Sequence, residues 1–353
     1  MSTNIKTSVT RVLLTYAGGV YGLGVSRSLR AARNPYHIIA TDADRFSFQR
    51  VEGDERHRIP RASDETFLSV IAGLVRSSGA DFVWPGHDGD ILSFARNRDS
   101  LGAATFVPPL EDIEICRNKW LSYLRWRECG VRVPESVMVN NRDELTTAFD
   151  QFGGEVWLRA VTGAGGTGAL GTDSLRKAEA WLEVHDGWGR FTAARRIKGG
   201  QRLSWESVWA HGELITVQGR RQLVQGFEYL TMSRITGVPG VNQWGTPVEA
   251  DETGLAAVRA ISASPHGNYG VDMVCDADGA PHVTEINIGR YNNDGLIHWP
   301  DEKLNAADLA VRLGLGEKPP FETPLMHPKK RDNVIIYGMP QMPVEVSWDE
   351  VRE

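Results

Sequence analysis

The stretch Asn268-Tyr-Gly-Val-Asp-Met-Val-Cys-Asp-Ala-Asp-Gly-Ala-Pro-His-Val-Thr-Glu-Ile-Asn-Ile288 predicts a β-hairpin, because two runs of alternating apolar residues flank an Asp-Gly dipeptide. Asp-Gly between two strands is the signal for a two-residue type I′ turn. With Asp278-Gly279 as that turn, Asp272 lies opposite Glu285, and directly opposed residues share a face of the sheet. Asn287 lies two residues beyond Glu285 and shares that face. The hairpin is therefore predicted to bring two carboxylates and one carboxamide together.

These three side chains suit a divalent cation. Two opposed carboxylates repel each other, so an apolar face would not hold them without a compensating charge. Oxygen ligands suit Mg²⁺, which usually takes one or two carboxylates together with substrate phosphates and water. A solvated hairpin face is the alternative. Val283, Ile286 and Ile288 make one face strongly apolar but leave the character of the other open.

A glycine-rich stretch, Gly163-Ala-Gly-Gly-Thr-Gly168, follows a predicted strand at 155–160. Glycines allow positive φ angles and let backbone N–H groups approach phosphate oxygens. No Gly-Lys-Ser/Thr follows, so the stretch is not a P-loop, and no helix opens directly after it, which disfavours a dinucleotide site. A tight hairpin loop is the alternative. Arg159 precedes the first glycine by four residues and would lie at the mouth of the loop, where it could neutralise phosphate.

The N-terminal part alternates strands and helices, which predicts a parallel, doubly wound sheet up to about residue 110. A strand at 12–16, glycines at 18, 19, 22 and 24, a helix at 25–33 and a strand at 37–41 form one unit that ends at Asp42. Its glycine loop could bind a dinucleotide, bind an anionic substrate or simply turn the chain. Asp88 and its neighbours His87 and Asp90 lie at the carboxyl end of a predicted strand, where such sheets bind ligands, although a plain polar loop is equally consistent.

The remaining chain mixes helices and strands. Pro108-Pro109 marks a boundary and is followed by a predicted helix at 112–129. Residues 136–198 are predicted to form a small α+β unit with helices at 141–151 and 174–185. The sequence is rich in strands from Leu203 onwards, and helices are predicted at 251–263 and 303–313, before a proline-rich tail.

Taken together, these stretches resemble the ATP-grasp enzymes. Gly270-Val-Asp-Met and Val283-Thr-Glu-Ile-Asn287 look like the closing motif of that family, and the separations of 13 and 15 residues from Asp272 to Glu285 and Asn287 fit it. Arg159 takes a place that holds lysine in many members, and arginine there is similar to the large subunit of carbamoyl phosphate synthetase. Asn118-Lys119-Trp120 resembles the segment that leads into the nucleotide lid.

The stretch Arg195-Arg-Ile-Lys-Gly-Gly-Gln201 resembles the hinge between the two subdomains that clamp ATP. It departs from the family pattern, because Arg195 or Arg196 replaces the hinge acid and Gln201 replaces the ribose-binding acid. Glu206 is another candidate for the ribose. Ser233 to Gln243 resembles the substrate loop of the synthetase-like branch, with Arg234 as the residue for an anionic group.

The resemblance implies an α/β chain, α+β in its ATP-binding part: an ATP-grasp fold with an N-terminal Rossmann-like pre-ATP-grasp domain. The implied units are residues 1–110 for that domain, 111–198 for the lid subdomain, 199–325 for the C-terminal subdomain with the metal site, and 326–353 for the tail. ATP and Mg²⁺ are the implied cofactors, and Mn²⁺ is an alternative ion.

The resemblance also implies roles for individual residues. Metal would be held by Asp272, Glu285 and Asn287. ATP would be bound by Lys119, Arg159, Gly163, Gly165, Gly166, Thr167, Gly168, Arg196, Ile197 and Gln201. Catalysis would depend on Arg159 and Arg290, the latter being a surface arginine in the alternative interpretation. The substrate would contact Gly18, Gly19, Asp88 and Arg234.

The implied reaction is that of an ATP-dependent carboxylate–amine ligase of amino-acid or peptide type, which forms an amide through an acyl phosphate and releases ADP and phosphate. Three alternatives stay open. One is a carboxyphosphate- or carbamate-forming enzyme like carbamoyl phosphate synthetase. Another is an NAD(P)-dependent oxidoreductase that uses the N-terminal glycine loop. The third is a nucleotide-binding regulator without turnover.

The overall composition excludes several classes of partner. The chain has 353 residues and a net charge of −6, whereas a general nucleic-acid binder is usually basic. Its three cysteines include no C-x-x-C pair, which disfavours structural zinc and favours a reducing compartment. No apolar run approaches the roughly 20 residues of a membrane span, and the start lacks a signal-peptide core. We therefore expect a cytoplasmic protein with small-molecule carboxylate and amine substrates, and the family resemblance implies a homodimer.

Overall fold

The computed structural model of the chain describes residues 9–291 and 304–338, apart from 164, 167, 199 and 237, and also residues 346, 347 and 350. Its helices are α1 Val20–Arg30, α2 Phe67–Ser78, α3 Asp88–Arg96, α4 Leu110–Arg117, α5 Lys119–Glu128, α6 Arg142–Gln151, α7 Leu175–Val184, α8 Val248–Ile261 and α9 Ala306–Gly314. Within the described residues, no helix has both the length and the apolar character needed to cross a membrane.

The strands form three sheets. Their bounds are β1 Thr10–Leu14, β2 Tyr36–Asp42, β3 Glu55–Arg58, β4 Phe82–Trp84, β5 Ser136–Val139, β6 Val156–Ala160, β7 Leu170–Thr172, β8 Phe191–Arg195, β9 Arg202–Ala210, β10 Glu213–Gln225, β11 Pro239–Trp244, β12 Gly267–Cys275, β13 Pro281–Ile288, β14 Leu325–Met326 and β15 Val334–Ile336.

The first sheet is parallel, with the order β3-β2-β1-β4. Successive residues of a strand face opposite sides, so Val12 and Leu14 pack with α1 and α9, whereas Leu13 packs with α2 and α3. The parallel sheet predicted up to about residue 110 is confirmed. Residues 306–314, which the sequence places near the C-terminus, also belong to this layer because α9 packs against α1.

Helix α1 begins at Val20, five residues before the helix predicted at 25–33. Gly22 therefore lies inside the helix and not in the loop. A Cβ on Gly22 would lie 2.3 Å from the carbonyl oxygen of Tyr16, so glycine is required where the helix passes the end of β1. The loop itself is reduced to Gly18 and Gly19.

The second sheet is small and antiparallel, with the order β5-β8-β6-β7. Its core includes Val139, Leu158 and Phe191 of the strands with Leu145 of α6 and Leu182 of α7. Strands β6 and β7 pair as a hairpin, and the glycine-rich stretch 163–168 is the connection between them. The α+β unit predicted at 136–198 is therefore confirmed in its helices and strands.

The third sheet has the order β13-β12-β9-β10-β11-β15, with each pair in this order antiparallel, and β14 pairs parallel with β10. Helices α4, α5 and α8 cover one of its faces, where Trp205 and Trp209 are fully buried. Trp126 of α5 donates from Nε1 to the carbonyl oxygen of Ala257 in α8 at 3.1 Å. The alternate residues of the strands are left for the opposite face, which lines a cavity.

The single helix predicted at 112–129 is wrong, because α4 ends at Arg117 and α5 begins at Lys119. Asn118 is extended between them, and its Oδ1 accepts hydrogen bonds from the backbone N of Trp120 and Leu121, both at 3.1 Å. This is an N-cap, which asparagine favours over a continuing helix. The break places Lys119 in the first turn of α5.

Candidate functional site

A cavity of about 1120 Å³ lies between the small antiparallel sheet and the large one. Its lining comes from the start of α5, from β6, β8 and the glycine loop, and from strands β9 to β13. Ligand pockets commonly measure about 300–1,000 Å³. This cavity is therefore slightly larger than a typical pocket for one small molecule.

The hairpin of β12 and β13 contributes the predicted metal residues. Asp272 lies opposite Glu285, and Gly270 lies opposite Asn287. The register predicted for the two carboxylates is therefore confirmed. All three predicted metal residues line the cavity.

The turn that was expected to set this register is different from the prediction. Of the Asp-Gly pair, Gly279 alone has a positive φ, +86°, whereas a type I′ turn needs positive φ at both central residues. The strands close with Asp276 N donating to Ala280 O at 3.0 Å, which encloses a longer loop. Thr284 is an extra residue on β13, and this bulge restores the opposition of the carboxylates.

The predicted metal residues hold one another in place. Asp272 Oδ2 accepts from Asn287 Nδ2 at 3.1 Å, and Asp272 Oδ1 accepts from Ser204 Oγ at 2.5 Å. Because the Asn287 amide donates through its nitrogen, its oxygen is the atom that could serve as a ligand. In the part of the chain that the structure describes, no group of three or more Asp, Glu, His or Cys side chains could hold a metal ion. An ion here would take two carboxylates and an amide oxygen from the chain, a donor set that fits Mg²⁺ bound with phosphate and water.

Two cations flank these oxygen donors. Lys119 Nζ lies 3.5 Å from Glu285 Oε2 and donates to the carbonyl oxygen of Gly163 at 2.6 Å. Burial lowers the pKa of Arg159, and the negative charge of Glu285 opposes that shift. Both cations line the cavity, so positive charge lies beside the metal residues and the glycine loop.

The glycine loop needs its glycines for conformation. Gly163, Gly165, Gly166 and Gly168 have φ values of +119°, +66°, +70° and +76°. The first three line the cavity. The carbonyl oxygen of Gly168 instead accepts a hydrogen bond from Trp181 Nε1 at 2.9 Å, on the side of the small sheet's core. Thr167 lies outside the described residues. The loop therefore exposes backbone to the cavity at Gly163, Gly165 and Gly166, as a phosphate-binding loop requires.

The hinge-like stretch contributes Arg196 and Ile197 to the cavity lining, as expected. Arg196 forms an ion pair with Glu155, and Lys198 Nζ lies 2.5 Å from the same carboxylate. Burial opposes ionisation of Glu155, but the two cations hold its pKa below the ordinary value. An acid therefore does lie beside the hinge-like stretch, at the position directly before β6. Gln201 does not line the cavity, since its Nε2 donates to the carbonyl oxygen of Gln222 at 2.7 Å.

Arg290 lines the cavity and connects it to the N-terminal sheet. Its Nε donates to Asp88 Oδ1 at 2.8 Å. Burial opposes the charge of Asp88, but Arg290 holds the pKa of that carboxyl below its ordinary value. Asp88 does not line the cavity, and it is the first residue of α3, whereas the sequence predicted a loop there. Asp88 acts on the site through Arg290.

The N-terminal glycine loop is not at the cavity. Gly18 and Gly19 do not line it, and Gly18 N donates to Asp42 Oδ2 at 3.0 Å. A Cβ on Gly18 would lie 1.9 Å from the carbonyl oxygen of Ser47, so a 3₁₀ turn at Ser47–Arg50 fills the space above the loop. This arrangement is that of a structural turn, and it disfavours both a substrate loop and a dinucleotide site.

Arg234 is also away from the cavity. It is exposed, has a φ of +58°, and does not line the cavity, whereas Ser233, Ile235 and Thr236 do. The turn at Arg234, whose N donates to Thr231 O at 3.1 Å, directs its neighbours inward. The loop therefore contributes to the cavity lining through the neighbours of Arg234, and a substrate role for Arg234 stays a prediction.

The sequence interpretation missed polar residues on the central strands. Ser204 of β9, Arg220 and Gln222 of β10 and Asn242 of β11 line the cavity. Arg220 pairs with Glu206 at 3.7 Å, so the glutamate that was a candidate for ribose binding lies buried against an arginine. Polar residues at every second position, Gln218, Arg220 and Gln222, were the available signal, although Arg221 between them obscures the alternation.

No protein-family model and no curated protein matches the sequence, whereas solved structures match its fold. The L-amino acid ligase of Bacillus licheniformis is 15% identical, with a TM-score of 0.66 over 87% of this chain and 74% of that one. The biotin carboxylase domain of the Hydrogenobacter thermophilus 2-oxoglutarate carboxylase, solved with MgADP and bicarbonate, is 16% identical, with a TM-score of 0.69 over 92% and 73%. Carboxyaminoimidazole ribonucleotide synthase of Aspergillus clavatus, solved with ATP, is 18% identical, with a TM-score of 0.68 over 88% and 78%. At these identities, the property shared with the three enzymes is the fold.

Proposed function

We propose that this chain, which has the ATP-grasp fold predicted from its motifs, is an ATP-dependent ligase that joins a carboxylate to an amine. One observation carries the proposal. A single cavity brings together the oxygen donors Asp272, Glu285 and Asn287, the cations Lys119 and Arg159, and the backbone of the glycine loop. Its volume of about 1120 Å³ accommodates ATP and an acid side by side.

The charged residues would hold the nucleotide. Asp272, Glu285 and Asn287 would bind Mg²⁺, whose charge would offset that of the ATP phosphates. Lys119 and Arg159 would turn from Glu285 towards phosphate oxygens, and the amides at 163–166 would add donors. Phosphoryl transfer depends mainly on positioning and charge neutralisation, so the site needs no nucleophilic side chain.

The reaction would proceed in two displacements. An oxygen of the acid attacks the γ-phosphorus, the bond to the β–γ bridging oxygen breaks, and ADP leaves. The amine then attacks the carbonyl carbon of the acyl phosphate, loses a proton and expels phosphate. Arg290, fixed by its 2.8 Å bond to Asp88, would face the acid from the edge of the N-terminal sheet.

The three sheets suggest a division of labour. We assign the small sheet, β5 to β8, to a lid over the nucleotide, since it carries the glycine loop, and 199–325 to the subdomain with the metal residues. Helices α4 and α5 lie within the predicted lid range 111–198 but pack against the large sheet. Residues 1–110 would form the Rossmann-like domain beside the acid site, with α9 completing its outer layer. The tail from residue 326 contributes β15 to the edge of the large sheet.

The test is ADP release with Mg-ATP across amino acids, short peptides and small carboxylates, each with and without an amine, and with bicarbonate. Wild type is compared with Glu285→Ala, and with Asp278→Ala as a matched control on the exposed turn of the same hairpin. We expect release that requires an acid and an amine in wild type and in Asp278→Ala, and that is lost in Glu285→Ala.

Other outcomes would point elsewhere. Release with bicarbonate as the only acid would identify a carboxyphosphate-forming enzyme. ATP binding without stimulated release by any acid would favour a nucleotide sensor. No ATP binding at all would refute the role of the hairpin.

A further inference from the structure

Two buried nitrogen donors on the cavity face of the large sheet have no hydrogen-bond partner among the described residues. They are Nη1 of Arg220 and Nδ2 of Asn242. The two residues are only 6% and 2% exposed, and both line the cavity. Buried donors without partners are rare and costly, because such groups lose their hydration without a replacement. Two of them on one wall of a cavity indicate an acceptor that binds there.

The two donors are neighbours on the same face. Asn242 is the Cα partner of Gln222, which lies two residues from Arg220 along β10. Residues two apart on a strand face the same side, so Arg220 and Asn242 lie diagonally across β10 and β11. Their N–H groups can converge on one ligand group.

The site is separate from the predicted metal residues but close to them. In the strand register, Arg220 of β10 lies opposite Ser204 of β9, and Ser204 lies opposite Asp272 of β12. With adjacent strands about 4.8 Å apart, the backbones of Arg220 and Asp272 lie about 10 Å from each other. A small acid can span that distance between its phosphorylated carboxylate and a second anionic group.

Arg220 has one paired and one unpaired nitrogen. Its Nη2 lies 3.7 Å from Glu206 Oε1 in a buried ion pair, whereas its Nη1 has no hydrogen-bond partner among the described residues and can donate to a ligand. Each arginine of this wall already has one acid nearby, Glu206 for Arg220 and Asp88 for Arg290. A guanidinium with an amide beside it fits the planar, bidentate geometry of a carboxylate.

We propose that Arg220 and Asn242 bind a second carboxylate of the acid substrate, and so select acids that carry two carboxylates. The assignment of this site to a substrate rests on the proposed ligase function. The anion-binding property itself depends only on the two donors and the cavity.

The experiment is calorimetric titration with succinate, acetate and inorganic phosphate at constant ionic strength. The proteins are wild type, Arg220→Lys, Asn242→Asp and the control Arg221→Lys, whose side chain is on the opposite face of β10. A non-hydrolysable Mg-ATP analogue is titrated into the same proteins. We expect succinate to bind wild type and the control, and to bind the two site variants about ten- to a hundredfold more weakly, as loss of a charge-assisted hydrogen bond predicts. Binding of the ATP analogue should not change.

Each other result is decisive. If Arg220→Lys does not fold, Asn242→Asp carries the test, since it preserves shape and repels an anion. Equal succinate affinity in the site variants and in wild type, or no succinate binding to wild type, overturns the proposal. Tighter binding of phosphate than of succinate overturns the carboxylate assignment. Succinate binding without binding of the ATP analogue would support the anion site and refute the ligase function.

Discussion

Replacing Gly166 by alanine should push the glycine loop away from the loop that faces it. Gly166 has a φ of +70°, and a Cβ there would lie 2.3 Å from the carbonyl oxygen of Ile235, well inside the 3.4 Å at which ordinary contact begins. Both partners are backbone, so one loop has to move. Gly165 has nearly the same conformation, with φ +66°, but a Cβ there would meet only Thr236 O at 3.7 Å. Gly165→Ala therefore carries the strain without the collision.

The two variants separate the cost of backbone strain from the cost of the steric collision. Left-handed backbone costs a non-glycine residue about 1–2 kcal/mol, which applies to both variants. Overpacking typically adds about 1–3 kcal/mol, and this applies to Gly166→Ala alone. If the loop must keep its shape to bind phosphates, Gly165→Ala should weaken binding of an Mg-ATP analogue by up to about thirtyfold, and Gly166→Ala by roughly a further tenfold or more. Calorimetry measures both affinities. Equal affinities in the two variants, or wild-type affinity in Gly166→Ala, would refute the role of the loop contact.

Three further predictions concern other parts of the molecule. Asp88→Asn should raise the KM for the acid and leave the KM for ATP unchanged, because it releases Arg290 by removing a half-buried ion pair worth about 1 kcal/mol of stability. Steady-state kinetics with no change in either KM would contradict it. Burial, with nearby positive charges, lowers the pKa of His266 from 6.5 to about 4. The unfolded chain therefore binds this proton more readily than the folded chain, so stability falls as pH drops from about 6.5 to about 4. Over that range, Tm should decline less steeply in His266→Gln than in wild type. Parallel curves of Tm against pH for the two proteins would show that the histidine is not responsible. Trp126→Ala should lower the free energy of unfolding by about 3–5 kcal/mol, because the core loses a side chain that is 1% exposed and hydrogen-bonded to Ala257 O. Urea unfolding measures this loss, and a loss under about 1 kcal/mol would contradict the packing.

The metal hairpin shows how a correct result can come from an incomplete reason. The two-residue turn predicted from Asp-Gly is absent, and the longer loop alone would have displaced Asp272 from Glu285. The bulge at Thr284 cancels that displacement. A bulge has no sequence signal as clear as Asp-Gly, so the register could be predicted but its origin could not.

The substrate residues show the opposite case. Gly18 and Gly19 match a ligand-binding pattern, but the Ser47 carbonyl lies against Gly18 and the Tyr16 ring lies against Gly19. A pattern of residue types cannot exclude a segment from elsewhere in the sequence that occupies the same space. The pattern predicts Asp88 as a substrate residue, and it could not show that Asp88 accepts a hydrogen bond from Arg290, some 200 positions away in the chain.

Features that depend on neighbours close in sequence could therefore be predicted from it: most of the strands and helices, the opposed carboxylates of one hairpin, and a glycine loop directly after β6. Tertiary structure alone decided which residues share the cavity. Arg220 and Asn242 are neighbours because β10 pairs with β11. Arg220 and Asp272 share one wall of the cavity because β9 pairs with both of their strands. Such contacts depend on strand order and packing between distant segments, and spacing along the chain carries no record of either.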